Sequence, residues 1–146
     1  MTAGRITTHV LDTARGKPAA GVKIVLYRIS GQSHRKIAET VTNADGRTDA
    51  PMLAGAKLTA GSYELVFAAG DYLRATGQAG EGLIFLDEIP IRFGVPDETQ
   101  HYHVPLLISP FAYSTYRGSE AISGVPLLAC CRLCPSYRRR NFGAVA

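Results

Sequence analysis

Residues 101–119, reading HYHVPLLISPFAYSTYRGS, gather two imidazoles, several phenols, a guanidinium and serine hydroxyls around the apolar run 104–108. In an extended conformation His101 and His103 point to one face and Tyr102 and Val104 to the other, because strand side chains alternate with period two. Imidazole titrates near pH ~6.5 and can take a proton from water at neutral pH, so two or three converging histidines suit general acid–base chemistry. His9 is the third candidate, while His34 falls in a polar turn. The residue pattern does not choose between His101 and His103. Metal binding is the competing use of a His-x-His pair, but residues 1–119 contain no cysteine and offer no carboxylate at ligand spacing to close such a site. A cluster of this kind is an active surface or a polar interface.

Arg47 follows Asn43-Ala44-Asp45-Gly46, which reads as a tight turn with Gly46 supplying positive φ. A guanidinium fixed by a rigid turn can hydrogen-bond an anionic or carbonyl-rich ligand in a forked geometry, although a solvated charge is the commoner fate of such a residue. Tyr116-Arg117-Gly118-Ser119 adds a phenol, a second guanidinium and a hydroxyl. Ser119 is not framed by Gly-x-Ser-x-Gly, so hydrolysis through an acyl-serine is not indicated. Neither a phosphate-binding loop nor a dinucleotide fingerprint occurs.

The elements that must position these groups follow from composition and periodicity. At 146 residues, with 46% hydrophobic and 19% charged, the chain has the make-up of one globular domain able to bury a core. Its 15 glycines and eight prolines fall between short apolar runs, as turn punctuation does, which favours a β-rich fold. Of the formal net charge of +4, residues 120–146 carry +3, from four arginines against Glu120, leaving +1 on residues 1–119. A nearly neutral body argues against a nucleic-acid partner. No apolar run reaches the length of a membrane span, and the first residues lack the apolar core of a signal peptide, so a cytoplasmic protein with no membrane partner is expected.

Residues 6–12 alternate as a strand, with Ile6, Thr8 and Val10 on one face and Thr7, His9 and Leu11 on the other. Residues 22–29 give the clearest strand, followed by a turn over 31–35 and a third strand over 36–42. After a loop over 51–57, residues 63–69 read as a strand and 71–78 as a short helix between glycines. Ile89-Pro90-Ile91 reads as an edge strand or bend, and residues 112–116 as a strand returning after Pro110. Seven to eight strands with one short helix predict a β-sandwich.

Four stretches together resemble one known family: ITTHVLD at 6–12, Gly16-Lys17-Pro18-Ala19, Asn43-Ala44-Asp45-Gly46-Arg47, and residues 101–119. They are similar to the transthyretin-like 5-hydroxyisourate hydrolases of purine catabolism, over residues 5–119. The closing Tyr-Arg-Gly-Ser is the motif that separates these hydrolases from the carrier transthyretin. The resemblance implies a transthyretin (prealbumin)-like β-sandwich assembled as a homotetramer, a dimer of dimers with its sites at the dimer–dimer interface. It implies hydrolysis of 5-hydroxyisourate to 2-oxo-4-hydroxy-4-carboxy-5-ureidoimidazoline, with no cofactor and no metal. Carried over by motif, the catalytic positions are His9, Arg47, His103 and Ser119, with His9, Arg47 and Tyr116 binding substrate. The resemblance thus selects His103 over His101.

Members of that family usually end at the serine of Tyr-Arg-Gly-Ser, whereas Ser119 here continues into 27 further residues, 120–146. Residues 1–119 are therefore the expected hydrolase domain and 120–146 an atypical extension without strand or helix period, expected to be flexible. The extension holds all three cysteines, Cys130, Cys131 and Cys134, with no fourth ligand for a metal knuckle. Two other functions share the fold: a transthyretin-type small-ligand carrier without turnover, and a structural β-sandwich module with the same Gly-x-Pro and Asp-Gly-Arg pattern. Neither accounts for the 101–119 cluster.

Overall fold

A computed structural model describes residues 3–118; Ser119 and the extension over 120–146 lie outside the described residues. The described chain runs through β1 (Arg5–Thr7), β2 (Val10–Asp12), β3 (Lys17–Pro18), β4 (Lys23–Ser30), β5 (Ser33–Val41) and β6 (Leu53–Ala54). A 3-10 turn over Gly55–Lys57 precedes β7 (Gly61–Ala68), α1 (Ala69–Ala75), β8 (Glu88–Val95), β9 (His101–His103), β10 (Leu106–Ser109) and β11 (Ala112–Thr115). The architecture is mostly β with one short helix, as expected, but with eleven strand segments among the described residues rather than seven or eight. The surplus comes from two breaks in long strands, between β1 and β2 and between β9 and β10, and from the two-residue β3 and β6.

One layer is the antiparallel sheet β5-β4-β7-β8. The other is formally two sheets, β6-β1-β9 and β11-β10-β2-β3, in which β1 pairs parallel to β9 and β2 parallel to β10. Thr7 pairs with His103 and Val10 with Leu106, so the register is the same on both sides of the break. The break is local. Pro105 has no N–H to give the ladder, the Thr8 hydroxyl donates to the Val104 carbonyl (2.7 Å), and the ladder resumes with Leu106 N–H donating to His9 C=O (2.9 Å). Ile6, Val10, Tyr102, Val104, Leu106 and Ile108 from this layer join Ile24, Leu26, Leu65, Phe67, Ile89 and Ile91 from the other in one core.

Local departures from the sequence reading have physical causes. The turn expected over 31–35 contracts to Gly31-Gln32, with Gly31 at φ 58° and Ser30 opposite Ser33, because a two-residue hairpin loop needs a glycine there. β5 is an exposed edge, so its first residues carry no apolar alternation to reveal the strand. A bulge in β5 at Ile37, opposite Leu26 and Tyr27, shifts the pairing of β5 with β4 by one residue. The helix begins two residues earlier than expected, at Ala69, because Ala69, Tyr72 and Leu73 are the side chains it buries. Pro90 sits on edge strand β8, as its missing donor demands.

The helix is tied to the site-bearing layer through Asp12, which is fully buried. Its carboxylate accepts from the Tyr72 hydroxyl (2.7 Å), the Gln78 amide (2.8 Å) and the Arg15 backbone N–H (2.9 Å). Burial pushes this carboxyl up, but the hydrogen bonds from Tyr72, the Arg15 backbone, Gln78 and the Ala14 backbone together outweigh it and hold the group below the usual carboxylate value. No helix among the described residues is long and apolar enough to cross a membrane.

Candidate active site

The chemistry-bearing side chains meet at the break in the sheet. Thr7 and His9 on one strand, and His101 and His103 on its parallel neighbour, alternate with the buried Ile6, Thr8, Val10, Tyr102 and Val104, so they lie on the outer face. Thr7 pairs directly with His103, and Arg5 with His101. On one side an antiparallel bridge sets Arg47 opposite His9; on the other, a second bridge sets Gly118 opposite His103. The result is a strip four backbones wide. It joins segments separated by about forty and about a hundred residues in sequence.

Each flank has a local cause. The Asn43 side-chain oxygen accepts from the backbone N–H groups of Asp45 (2.9 Å) and Arg47 (3.2 Å), and its amide donates to Asp49 (3.0 Å). Gly46 has φ 69°, and a Cβ on it would lie 2.4 Å from the Val10 carbonyl oxygen. The turn is therefore pressed against β2, where a side chain has no room, and the Val10 N–H donates to the Gly46 carbonyl (2.8 Å). This docks Arg47 beside His9, with Cβ atoms about 4.5–5.5 Å apart as for any directly opposed pair. On the other flank the Gly118 N–H donates to the His103 carbonyl (2.8 Å), and a Cβ on Gly118 would lie 2.7 Å from His103 Cδ2. The backbone passes against the imidazole edge, and His103 is only 5% exposed.

His9 Nδ1 and His103 Nε2 are 2.7 Å apart, with the rings stacked at 4.9 Å between centroids. At that separation one nitrogen donates and the other accepts, so both rings cannot be imidazolium together while the bond holds. The pair acts as a single proton-holding unit. Beside it opens a cavity of about 260 Å³, with Arg5, Thr7, Arg47, Asp49 and His103 among its lining residues. That volume is at or below the small end of ligand clefts, about 300 Å³. Among the described residues no group of three or more His, Cys, Asp or Glu side chains could hold a metal ion.

A family model described as HIUase/Transthyretin family matches residues 6–118. The chain belongs to that family. The curated 5-hydroxyisourate hydrolase of Mesorhizobium japonicum is 64% identical over 116 residues, 80% of this chain and 93% of its own. The solved structure of Klebsiella pneumoniae 5-hydroxyisourate hydrolase is 36% identical with a TM-score of 0.65, covering 82% of this chain and all of its own. The crystal structure of (S)-allantoin synthase is 46% identical with a TM-score of 0.75 and covers 81% of this chain; this chain spans 44% of that one's length. The β-sandwich described above is thus of the transthyretin-like kind.

Within this framework the structure brings His9, His103 and Arg47 together. Tyr116 is 54% exposed and lines a separate cavity of about 420 Å³ with Tyr102 and Arg117. Being two residues from Gly118, its Cα lies within about 7 Å of the backbone that packs on His103. Ser119 is outside the described residues. One participant was not singled out from the sequence: Thr7, whose hydroxyl contacts His103 Nδ1 at 2.7 Å; His101, a candidate from the residue pattern that the resemblance passed over, places its Nε2 2.6 Å from the same hydroxyl. The signal for Thr7 was present as its two-residue spacing from His9, which puts both on one face of a strand.

Proposed function

We propose that this protein hydrolyses 5-hydroxyisourate to 2-oxo-4-hydroxy-4-carboxy-5-ureidoimidazoline, the activity for which its 64%-identical relative is named. The single observation that carries the mechanism is the 2.7 Å His9–His103 bond with Arg47 directly opposite His9. A water attacks the ring amide carbonyl, and its proton passes to the His9–His103 unit as the C–O bond forms. The Arg47 guanidinium meets the charge developing on the carbonyl oxygen. Collapse of the tetrahedral intermediate breaks the C–N bond, and the histidine pair returns the proton to the departing nitrogen. His9, Arg47, His103 and Ser119 are the proposed catalytic residues, and Tyr116 orients the ring, its contribution being one of position rather than chemistry.

Residues 1–119 form the hydrolase domain in this reading and 120–146 an extension of it. The proposed assembly is a homotetramer working in the cytoplasm. Edge strand β11, whose four residues are all exposed, supports association, because an open edge presents unpaired backbone donors and acceptors to another chain.

The test is decay of 5-hydroxyisourate, generated in situ with urate oxidase and followed by absorbance, for the full chain and for a form ending at Ser119, with light scattering of both. Accelerated decay in both supports the hydrolase and makes the extension dispensable. Activity only in the shorter form makes the extension inhibitory. Absence of turnover in both refutes the hydrolase and puts a ligand carrier in its place.

A further inference from the structure

We propose that Thr7 and His101 are positioning residues that extend the His9–His103 pair into a four-member proton relay, and that its three imidazoles, when neutral, all carry the same tautomer. The inference rests on the hydrolase reading for its kinetic consequence, whereas the tautomer consequence follows from the chain of bonds without it.

Three contacts define the chain of bonds: His101 Nε2 to Thr7 Oγ1 at 2.6 Å, Thr7 Oγ1 to His103 Nδ1 at 2.7 Å, and His103 Nε2 to His9 Nδ1 at 2.7 Å. A threonine hydroxyl has one proton, so it cannot donate to both imidazoles. Accepting from both would turn its own proton into the cavity that Thr7 lines and interrupt the chain of bonds at the hydroxyl. A continuous relay therefore has it donate to one ring and accept from the other. A neutral imidazole likewise donates through one nitrogen and accepts through the other, and His103 uses both of its nitrogens. These constraints propagate. If Thr7 donates to His101, then His103 and His9 must each donate through Nδ1, and all three rings are Nδ1–H. If His101 donates to Thr7, all three are Nε2–H. A mixed set breaks a bond.

The first polarity leaves His9 Nε2 as the nitrogen that takes the proton from the attacking water. As it does so, the Nδ1 proton of His9 moves to His103 Nε2, the Nδ1 proton of His103 moves to the Thr7 oxygen, and the Thr7 proton moves to His101 Nε2. One proton enters and one is held at the far end, where His101, retaining its Nδ1 proton, becomes imidazolium. His9 and His103 end as neutral Nε2–H rings. The proton is returned along the same bonds to the departing nitrogen as the C–N bond breaks.

The experiment compares the full-length protein with Thr7→Val, Thr7→Ser and His101→Gln on 5-hydroxyisourate. Glutamine keeps a side-chain hydrogen bond to Thr7 but does not relay a proton as imidazole does. Thr7→Val and His101→Gln are expected to lower kcat at least about tenfold, within the usual weight of acid–base assistance, with KM within about twofold, while Thr7→Ser stays within about threefold of the native kcat. Native kcat in both Thr7→Val and His101→Gln overturns the relay. No turnover by the unsubstituted protein overturns the hydrolase reading instead. Nitrogen-15 NMR of the unsubstituted protein, at a pH where the rings are neutral, needs no variant to fold: one shared tautomer supports the chain of bonds, and a mixed set overturns it.

Discussion

Gly118→Ala tests whether the His103 ring is held in place by backbone rather than by its own side-chain bonds alone. The added methyl would sit 2.7 Å from His103 Cδ2 and 3.4 Å from Pro105 Cγ. Carbon atoms pack at about 3.5–4.0 Å, so roughly 0.8 Å must be found. The Gly118 backbone cannot supply it without losing its hydrogen bond to the His103 carbonyl, a net loss of about 1 kcal/mol. If the ring yields instead, His103 moves relative to Thr7 and His9, each now 2.7 Å away. Misplacing a catalytic group by about 1 Å costs on the order of 10²-fold. The expected outcome is a kcat reduced roughly ten- to a hundredfold with thermal stability lowered only modestly. The assay is 5-hydroxyisourate decay at saturating substrate beside a thermal melt, with the native chain as reference. A kcat within twofold of native, from a folded protein, would refute the claim that Gly118 positions the imidazole.

Three further outcomes follow from the same geometry. His103→Ala should lower kcat by roughly 10²–10⁴, since it removes half of the proton-holding pair, and a loss well under tenfold would take His103 out of the mechanism. Arg47→Ala should cost about 10²–10³ in kcat and Arg47→Lys less, because lysine keeps the charge but not the fork; equal rates for Arg47→Ala and native protein in the decay assay would exclude oxyanion stabilisation. Asp12→Asn should destabilise the fold by roughly 1–3 kcal/mol at pH 7 in urea titration, since a buried acceptor of three bonds is replaced. The folded Asp12 carboxyl lies below its unfolded value near 3.9, so its contribution is complete above that value and is lost as pH falls through the lower folded one. The gap between native and variant should therefore close on acidification below about pH 4, and a gap independent of pH would contradict the assignment.

The sequence by itself named the residues proposed to carry the chemistry and showed most of the elements that hold them. Period-two alternation set His101 and His103 on one face and Thr7 and His9 on another, because a strand obliges neighbours to point oppositely whatever it pairs with. Asn43-Ala44-Asp45-Gly46 declared its turn because positive φ at the fourth position favours glycine. The helix and the edge proline were legible for equally local reasons. Only tertiary structure decided that these pieces meet. Nothing in the local pattern of residues 6–12 says that they lie parallel to residues 101–108 in a register that survives Pro105, since register is chosen by the burial of both strands against a third and fourth. The fit of Gly46 against Val10 and of Gly118 against His103 arises from close approach of distant backbones, which leaves only a glycine as its trace in sequence. The tie of His101 to His103 through Thr7 was hidden for the same reason: a threonine becomes part of a site by what stands opposite it, and pairing across the sheet is a property of the folded chain.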